Sequence, residues 1–389
     1  MAKRQAGGPR SGVAAFVTLA VLLSLAVPSG TPFGEEPPAV EVVAGEKALA
    51  DRIASAIRPG QGILLLSPYL RYGILPADGG RELRVTHVTP LRDPLGEEQF
   101  GNWKRAAPIP IDNATLGEGT FLARSGGVRL TVTGLAGIPE LGGYDLVVLY
   151  PDFFLPLYEN EVRGGMIDLS LKLYRTLVGK RGVGGTLLVV DPLSNPSFPL
   201  QWGYIAEFWK EVWRRPDAFR DAIPPRWGMR KDSEYLADFG QFDEAATLLD
   251  EAAPHFPNDG SLDFQSARLA FWGREVPAGI RFLNRAFRKD SRYLRAYAHF
   301  GSYLDSRGRT PEAETVYRAG LLLAPEDPPL NLALLKLLLE RAEAAKGSDP
   351  AGARRDLREA MELRVPEERK REVRHMAERI GAGIPTAPP

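Results

Sequence analysis

The first apolar stretch of the chain lies close to its start. Val13 to Val27 is an uncharged run of 15 residues, and it follows a basic flank that contains Lys3, Arg4 and Arg10 but no acid. This pattern is typical of a signal peptide or of a short membrane anchor; a spanning helix usually needs about 17–25 apolar residues. We assign residues 1–30 to this segment and residues 31–44 to a linker rich in proline and glycine. The sequence leaves cleavage and retention as an anchor as alternatives.

The basic flank also predicts an orientation. By the positive-inside rule it stays in the cytoplasm, which places the chain after residue 30 on the other side of the membrane. We therefore expect an extracytoplasmic protein of the periplasm or cell envelope. It is anchored to the inner membrane if the N-terminal segment is not cleaved.

Residues 45–225 have the pattern of an α/β domain. Gly45–Ile57 repeats apolar residues every four positions, as one face of a helix does. Short, nearly continuous apolar runs bounded by glycine or proline follow, as expected for strands covered on both faces. The predicted strands are Gly62–Leu66, Leu83–Val88, Val128–Val132, Asp145–Leu149 and Thr186–Val190. A predicted helix over Met166–Val178 joins the last two, so we expect a βαβ crossover in a Rossmann-like parallel sheet.

A helix predicted over Gln201–Trp213 is unusually aromatic. Its apolar positions at helical spacing are Trp202, Ile205, Phe208, Trp209 and Trp213. An aromatic stripe of this kind is usually part of a core. We interpret it as the helix that closes the sheet and docks the next domain; a groove for an aromatic ligand is the alternative.

Two stretches of the α/β domain, Gly127–Tyr158 and Leu173–Val190, resemble a known family. They contain a strand preceded by Tyr-Asp, an aromatic-rich loop, a helix and a Gly-Gly turn into a strand. This order is similar to the second half of the spermidine synthase-like branch of the S-adenosylmethionine-dependent transferase fold. The resemblance implies an aminopropyl- or methyltransferase that uses S-adenosylmethionine or its decarboxylated form.

The positions that would bind this cofactor depart from the family's pattern. The glycine-rich turn after the first strand is replaced by the bulky Ser67–Gly73, and the second strand ends in Thr86–Pro90 without an acid. Leu135 and Tyr150 stand where the family has acids. Asp152 is the one acid nearby and is a weak catalytic candidate, whose alternative role is to cap a loop or helix. We therefore expect no cofactor.

A period of 34 residues runs through residues 226–380, with copies beginning at Arg226, Gly260 and Leu294. A fourth copy begins near Pro328 and has six extra residues around 344–351. The third copy has the clearest signature: Tyr297, Phe300, Gly301, Leu304, Ala313, Tyr317 and Pro325. This region resembles the tetratricopeptide repeat family, which implies an all-α array of helical hairpins. A capping helix is predicted at 367–380, and a disordered tail at 381–389.

The repeat resemblance implies a concave face that binds an extended peptide or a helix of another protein. By the family's positions, the predicted protein-binding residues are Phe264, Arg268, Phe271, Trp272, Arg295, Ser302, Asp305 and Lys336. Aromatic residues beside arginines are typical of binding hot spots. For Phe271 and Trp272, packing against the α/β domain or against a neighbouring hairpin is the alternative.

Composition narrows the functional classes further. The 49 basic and 49 acidic residues cancel, which disfavours a nucleic-acid partner, and the absence of cysteine excludes disulfides, thiolate metal sites and a cysteine nucleophile. The four histidines are scattered without metal-site spacing, and we expect no metal. The sequence thus predicts a non-enzymatic scaffold or adaptor that binds a protein through its repeats. A working transferase with a recruitment tail is the alternative.

Overall fold

A computed structural model describes residues 39–58, 60–68, 74–75, 83–90, 112–117, 120–125, 128–134, 144–156, 165–179, 186–195 and 198–381. The predicted N-terminal segment, most of the predicted linker and the predicted disordered tail beyond Gly381 lie outside these residues. A sheet with covering helices comes first in the chain, and an array of helices follows it. This order confirms an α/β part followed by an all-α part.

The sheet contains eight strands among the described residues. They are β1 (Val40–Val43), β2 (Gly62–Leu66), β3 (Leu83–Thr89), β4 (Asp112–Gly117), β5 (Thr120–Ser125), β6 (Val128–Gly134), β7 (Leu146–Leu149) and β8 (Thr186–Val190). Their order is β1-β8-β7-β2-β3-β6-β5-β4. The first six in this order pair in parallel, and β5 and β4 extend the edge as an antiparallel hairpin. The predicted parallel sheet is therefore confirmed.

Helices cover both faces of the sheet, which explains the continuous apolar strands. Every residue of β2 is buried. Ile63 and Leu65 belong to the core beneath α1 (Gly45–Ala56). Leu64 and Leu66 belong to the core beneath α2 (Met166–Gly179) and α3 (Ile205–Arg214). Because side chains alternate between faces along a strand, a strand buried on both faces carries no polar side.

Two parts of the sheet were not predicted. Val40–Val43 falls in the predicted linker, but it forms β1 and pairs in parallel with β8. This assignment is corrected here: four residues carry too little pattern to be recognised, and the partner strand lies about 150 residues later in the chain. The hairpin of β4 and β5 was also not predicted.

The aromatic helix α3 forms part of the core. Phe208 and Trp209 are fully buried, and the rings of Trp209 and Phe154 are 6.3 Å apart. The ring of Phe208 lies 5.1 Å from that of Trp227, in the first helix of the array. The structure thus confirms that α3 closes the sheet and docks the next domain.

The array consists of antiparallel helix pairs with a final single helix. Its helices are α4 (Pro225–Asp238), α5 (Phe242–Ala252), α6 (Gly260–Trp272), α7 (Val276–Lys289), α8 (Arg295–Ser306), α9 (Thr310–Leu323), α10 (Pro328–Ala345), α11 (Pro350–Glu362) and α12 (Glu367–Arg379). Each of the first four pairs coincides with one copy of the 34-residue period. The six extra residues of the fourth copy were expected in a loop, but most of them lengthen α10, which has 18 residues against 12 in α8.

The crossing of α8 and α9 depends on a glycine. A Cβ atom built on Gly301 would overlap the buried ring of Tyr317. Ala313, the other small residue of this crossing, is fully buried. Small residues let the two helices approach until the tyrosine ring fills the space between them.

We expect Gly301→Ala to destabilise the chain by about 1–3 kcal/mol, because the added methyl group overpacks the crossing. Gly228→Ala is the matched control: this glycine also lies in a helix, and a Cβ there would meet no atom within 4 Å. The control should gain roughly 0.5–1 kcal/mol from helix propensity. Urea denaturation monitored by circular dichroism measures both changes. Equal shifts of the two midpoints would contradict the packing argument.

Candidate protein-binding groove and domain junction

An apolar groove runs between α10 and α12 at the end of the array. Its volume is about 740 Å³. Leu335, Leu339 and Met376 form its floor, and Leu332 lies at its edge with 38% of its surface exposed. The charged residues that line it are Lys336, Glu340, Glu343, Arg369 and Glu372. A concave apolar site with a few polar groups around it is the usual form of a binding site.

The groove exists because α10 is apolar on two sides. Leu334 and Leu338 are buried in the core of the array. Leu335 and Leu339 each follow one residue later and turn about 100° further around the helix, toward α12. The start of α10 is capped by Asp327, whose Oδ1 accepts a hydrogen bond from the amide of Leu330 at 2.9 Å. This cap fixes where the helix begins.

The charges at the rim are paired with one another across short distances. The Lys336 Nζ and Glu340 Oε1 atoms are 3.6 Å apart, and Arg369 Nη1 lies 2.9 Å from Glu372 Oε2. Exposed pairs of this kind contribute at most about 1 kcal/mol each. A partner can therefore exchange them for its own charges at little cost.

Lys336 is the one predicted binding residue that lines this groove. Phe264 and Phe271 were expected on the surface, but only 2% and 0% of their surfaces are exposed. Their rings lie 5.4 and 4.5 Å from that of Phe300. The assignment of Phe264 to the binding face is corrected, and for Phe271 the alternative of packing against a neighbouring hairpin holds: both side chains fill the space between neighbouring helix pairs.

Arg268 and Trp272 form a local cluster. The Arg268 guanidinium lies 4.6 Å from the centre of the Trp272 ring and 3.3 Å from Asp238 Oδ1. The Trp272 ring is 5.3 Å from that of Phe242. The alternative of packing against a neighbouring hairpin therefore describes Trp272, because Phe242 belongs to the preceding helix pair.

Ser302 and Asp305 lie on α8, apart from the groove. The Ser302 and Tyr317 hydroxyl oxygens are 3.3 Å apart, and Asp305 Oδ1 accepts a hydrogen bond from the Thr310 hydroxyl at 3.1 Å. Both residues thus link α8 to α9. The structure does not bring the predicted set together into one surface.

Arg295 belongs to the junction between the sheet and the array. Its guanidinium donates to the carbonyl oxygens of Asn195 at 2.8 Å and Phe198 at 3.1 Å. The Tyr293 hydroxyl donates to the Leu200 carbonyl at 3.2 Å, and Arg292 pairs with Asp191. Arg292 and Tyr293, which precede α8, and Arg295, its first residue, therefore hold the segment that leaves β8. Sequence analysis missed Arg292 and Tyr293, because they fall at a boundary between two repeat copies.

A buried arginine strengthens the same junction. Only 1% of Arg230 is exposed; its guanidinium lies 2.8 Å from Asp259 Oδ2 and 3.7 Å from the centre of the Tyr204 ring. Glu234, one helical turn further along α4, has an oxygen 3.8 Å from Arg230 Nη2. Burial raises the pKa of Glu234 to about 7, against the attraction of Arg230.

The carboxyl edge of the sheet contains a smaller crevice of about 270 Å³, lined in part by Gly45, Tyr150, Asp152 and Phe198. Asp152 is 7% exposed and lies in the first turn of a short 3₁₀-helix, Pro151–Phe154. Carboxyl ends of parallel strands are the usual place for a ligand in this type of sheet. The crevice is small for a nucleotide-sized molecule.

His87 lies near the end of β3, where a transferase would have an acid. It is 1% exposed, and its Nε2 atom donates to the carbonyl oxygen of Ser67 at 2.7 Å. Burial lowers the pKa of His87 to about 4, so the ring is neutral at pH 7. A neutral imidazole bonded to the backbone holds β3 to the end of β2 and offers no negative charge to ribose hydroxyls.

The sequence matches no known family profile and no curated protein. Among the described residues, no helix combines the length and the apolar character needed to span a bilayer. The predicted N-terminal segment is not among them. The described residues also contain no cluster of three or more potential metal-ligating histidines and carboxylates.

We expect the junction to weaken as pH rises. Glu234 has a pKa of about 7 in the folded chain and an ordinary value of 4.5. Between pH 4.5 and about pH 7 the folded state therefore holds a proton that the unfolded state has released. The contribution of Glu234 to stability decreases as the pH rises through this range. The free energy of unfolding of the wild type, relative to Glu234→Gln, should fall by up to about 1.4 kcal/mol per pH unit in this range. Denaturant titrations of both proteins at several pH values measure this difference in free energy of unfolding. A difference that stays constant across the range would disprove the prediction.

Proposed function

We propose that this chain is a non-enzymatic scaffold or adaptor. A degenerate transferase-like α/β domain supports a tetratricopeptide repeat array, and the array binds another protein. The observation that carries this proposal is the apolar groove between α10 and α12, which leucine and methionine side chains line.

The assignment of the helices to tetratricopeptide repeats rests on two features. The 34-residue period coincides with four consecutive helix pairs, and the small residues of the third copy lie at a helix crossing, where Gly301 meets Tyr317. Each helix pair exposes apolar surface that the next pair covers. An array of this type ends in a helix with a polar outer side, as α12 has.

The proposed ligand is an amphipathic helix of a partner protein. Its apolar side would cover Leu332 and Met376, above the buried Leu335 and Leu339. Flanking charges of both signs would exchange with the rim pair of Lys336 and Glu340. Three acids and two bases line the groove, so the partner's flank should carry a small excess of positive charge.

We further propose that this function is carried out outside the cytoplasm, in the periplasm or cell envelope. The support is the basic flank and apolar run of Val13–Val27. The segment either anchors the chain to the inner membrane or is removed on export. In both cases the α/β domain is separated from cytoplasmic S-adenosylmethionine.

The alternative is an S-adenosylmethionine-dependent aminopropyl- or methyltransferase with a recruitment tail. The observation in its favour is the crevice at the carboxyl edge of a parallel sheet, with Asp152 buried beside it. Against it, His87 occupies the end of β3 as a neutral, backbone-bonded ring.

To test the groove, a displayed library of amphipathic helical peptides is selected on the full chain. The affinity of the selected peptides is then measured by fluorescence anisotropy. We expect Leu332→Asp with Glu340→Lys to weaken binding at least about ten-fold, because apolar contact is lost and an acid that would pair with the partner's positive flank is replaced by a cation. The matched control is Leu322→Asp, a leucine 85% exposed outside the groove.

The control should bind the peptides as tightly as the wild type does. Selection of no peptide, or equal binding by the groove variant, would overturn the proposal. Arg295→Ala is not a suitable probe, because Arg295 holds the backbone of residues 195 and 198.

To test the alternative, isothermal titration calorimetry is performed with S-adenosylmethionine and with its decarboxylated form. We expect no binding at millimolar ligand, because no carboxylate at the end of β3 is available for the ribose hydroxyls. Micromolar binding that Asp152→Asn abolishes would establish the transferase and overturn the scaffold. Asp152→Asn keeps the shape of the buried side chain, so we expect this variant to fold as the wild type does.

A further inference from the structure

Two neighbouring helix pairs of the array carry opposite charges on their second helices. Helix α5 contains Asp243, Glu244, Asp250 and Glu251 and no basic residue. Helix α7 contains Arg281, Arg285, Arg288 and Lys289 and no acid. The chain as a whole has no net charge, so this is a local separation of charge.

Most of these charges have no internal partner in the described part of the chain. The four carboxylates of α5 are exposed, and none of them takes part in an ion pair there. On α7, Arg285 and Lys289 pair with the buried Asp263 of α6, but Arg281 and Arg288 are exposed and unpaired. Asp250 and Glu251 lie in the last turn of α5, where the partial negative charge of the helix end makes them unfavourable.

Both helices lie on one side of the array. Helix α6 packs against α7 and also against α5, and successive second helices, such as α7 and α9, contact each other. The first helices form the other row through contacts of α4 with α6 and of α8 with α10. Helices α5 and α7 thus both pack on α6, on the side opposite to the row of first helices.

The spacing of the charges is the same on the two helices. Glu244 and Glu251 are seven residues apart, as are Arg281 and Arg288, which is about 10.5 Å along a helix axis. An acidic helix of this spacing can match a basic one at both positions simultaneously. Half-buried Phe282, over which Arg285 stacks at 5.0 Å, adds apolar surface beside the basic row.

We propose that the surface of α5 and α7 binds a second copy of this chain. A two-fold axis between the two helices brings α5 of each copy onto α7 of the other, so that both unpaired acidic rows meet unpaired basic rows. A single external ligand would need one acidic and one basic row at this spacing, whereas the chain itself provides both. This surface lies apart from the groove between α10 and α12.

The experiment measures the mass of the full chain by sedimentation velocity at about 50 mM and about 500 mM NaCl, because salt screens exposed charges. The wild type should be a dimer at low salt and dissociate at high salt. Arg281→Glu with Arg288→Glu should be monomeric at low salt, as should Glu244→Lys with Glu251→Lys. Each pair of substitutions should weaken dimerisation at least about ten-fold.

Mixing the two variants provides the decisive measurement. One then carries acidic rows only and the other basic rows only, so the mixture should form a heterodimer. The matched control is Arg354→Glu with Arg355→Glu, two exposed arginines of α11, which should leave the wild-type dimer unchanged. Circular dichroism verifies that each variant is folded.

Three results would overturn the proposal: a wild type that is monomeric at both salt concentrations, reversal variants that dimerise as the wild type does, or a mixture that stays monomeric. If the N-terminal segment drove the association, the charge-reversal variants would dimerise as the wild type does, because that segment is the same in every variant.

Discussion

Hydrogen bonds from the array to backbone carbonyls hold the segment that follows β8, and the rest of the structure depends on them. Arg295 donates to the carbonyl oxygens of Asn195 and Phe198, and Tyr293 donates to that of Leu200; the Asn195 and Leu200 oxygens also accept backbone amides. Arg230, buried beside Tyr204 and Asp259, adds a charged contact to the same junction. The sheet and the helices therefore form one compact unit.

This junction changes which part of the array can bind a partner. Residues near the sheet, such as Arg295, are occupied by the α/β domain, and Phe264 and Phe271 fill the core between helix pairs. The far end, between α10 and α12, is free of such contacts and contains the groove. We therefore interpret the α/β domain as a rigid support that holds the array by one end and leaves the other end accessible.

The parts predicted correctly are those whose pattern is local. Parallel strands such as Gly62–Leu66 are buried on both faces, so their apolar runs stand out against glycine and proline boundaries. The helix pairs follow from a repeated spacing. The parts that were missed depend on distant partners: Val40–Val43 becomes a strand because β8 lies beside it. Of the predicted binding residues, Lys336 lies on the groove. A residue's position within the repeat could not tell an exposed phenylalanine from a buried one.

The sequence by itself determined the order of an α/β part and a helical array, and the period of that array. Those features follow from residue type and spacing, because the pattern of a helix or strand is set by residues close together in the chain. The tertiary structure decided which side of each helix is covered. It buried Phe271, engaged Arg295 at the junction and opened the groove beside Leu335. Among the described residues it left the carboxylates of α5, and Arg281 and Arg288 of α7, without ion pairs. The physical reason is that burial and pairing depend on contacts between elements far apart in the chain, which no local pattern records.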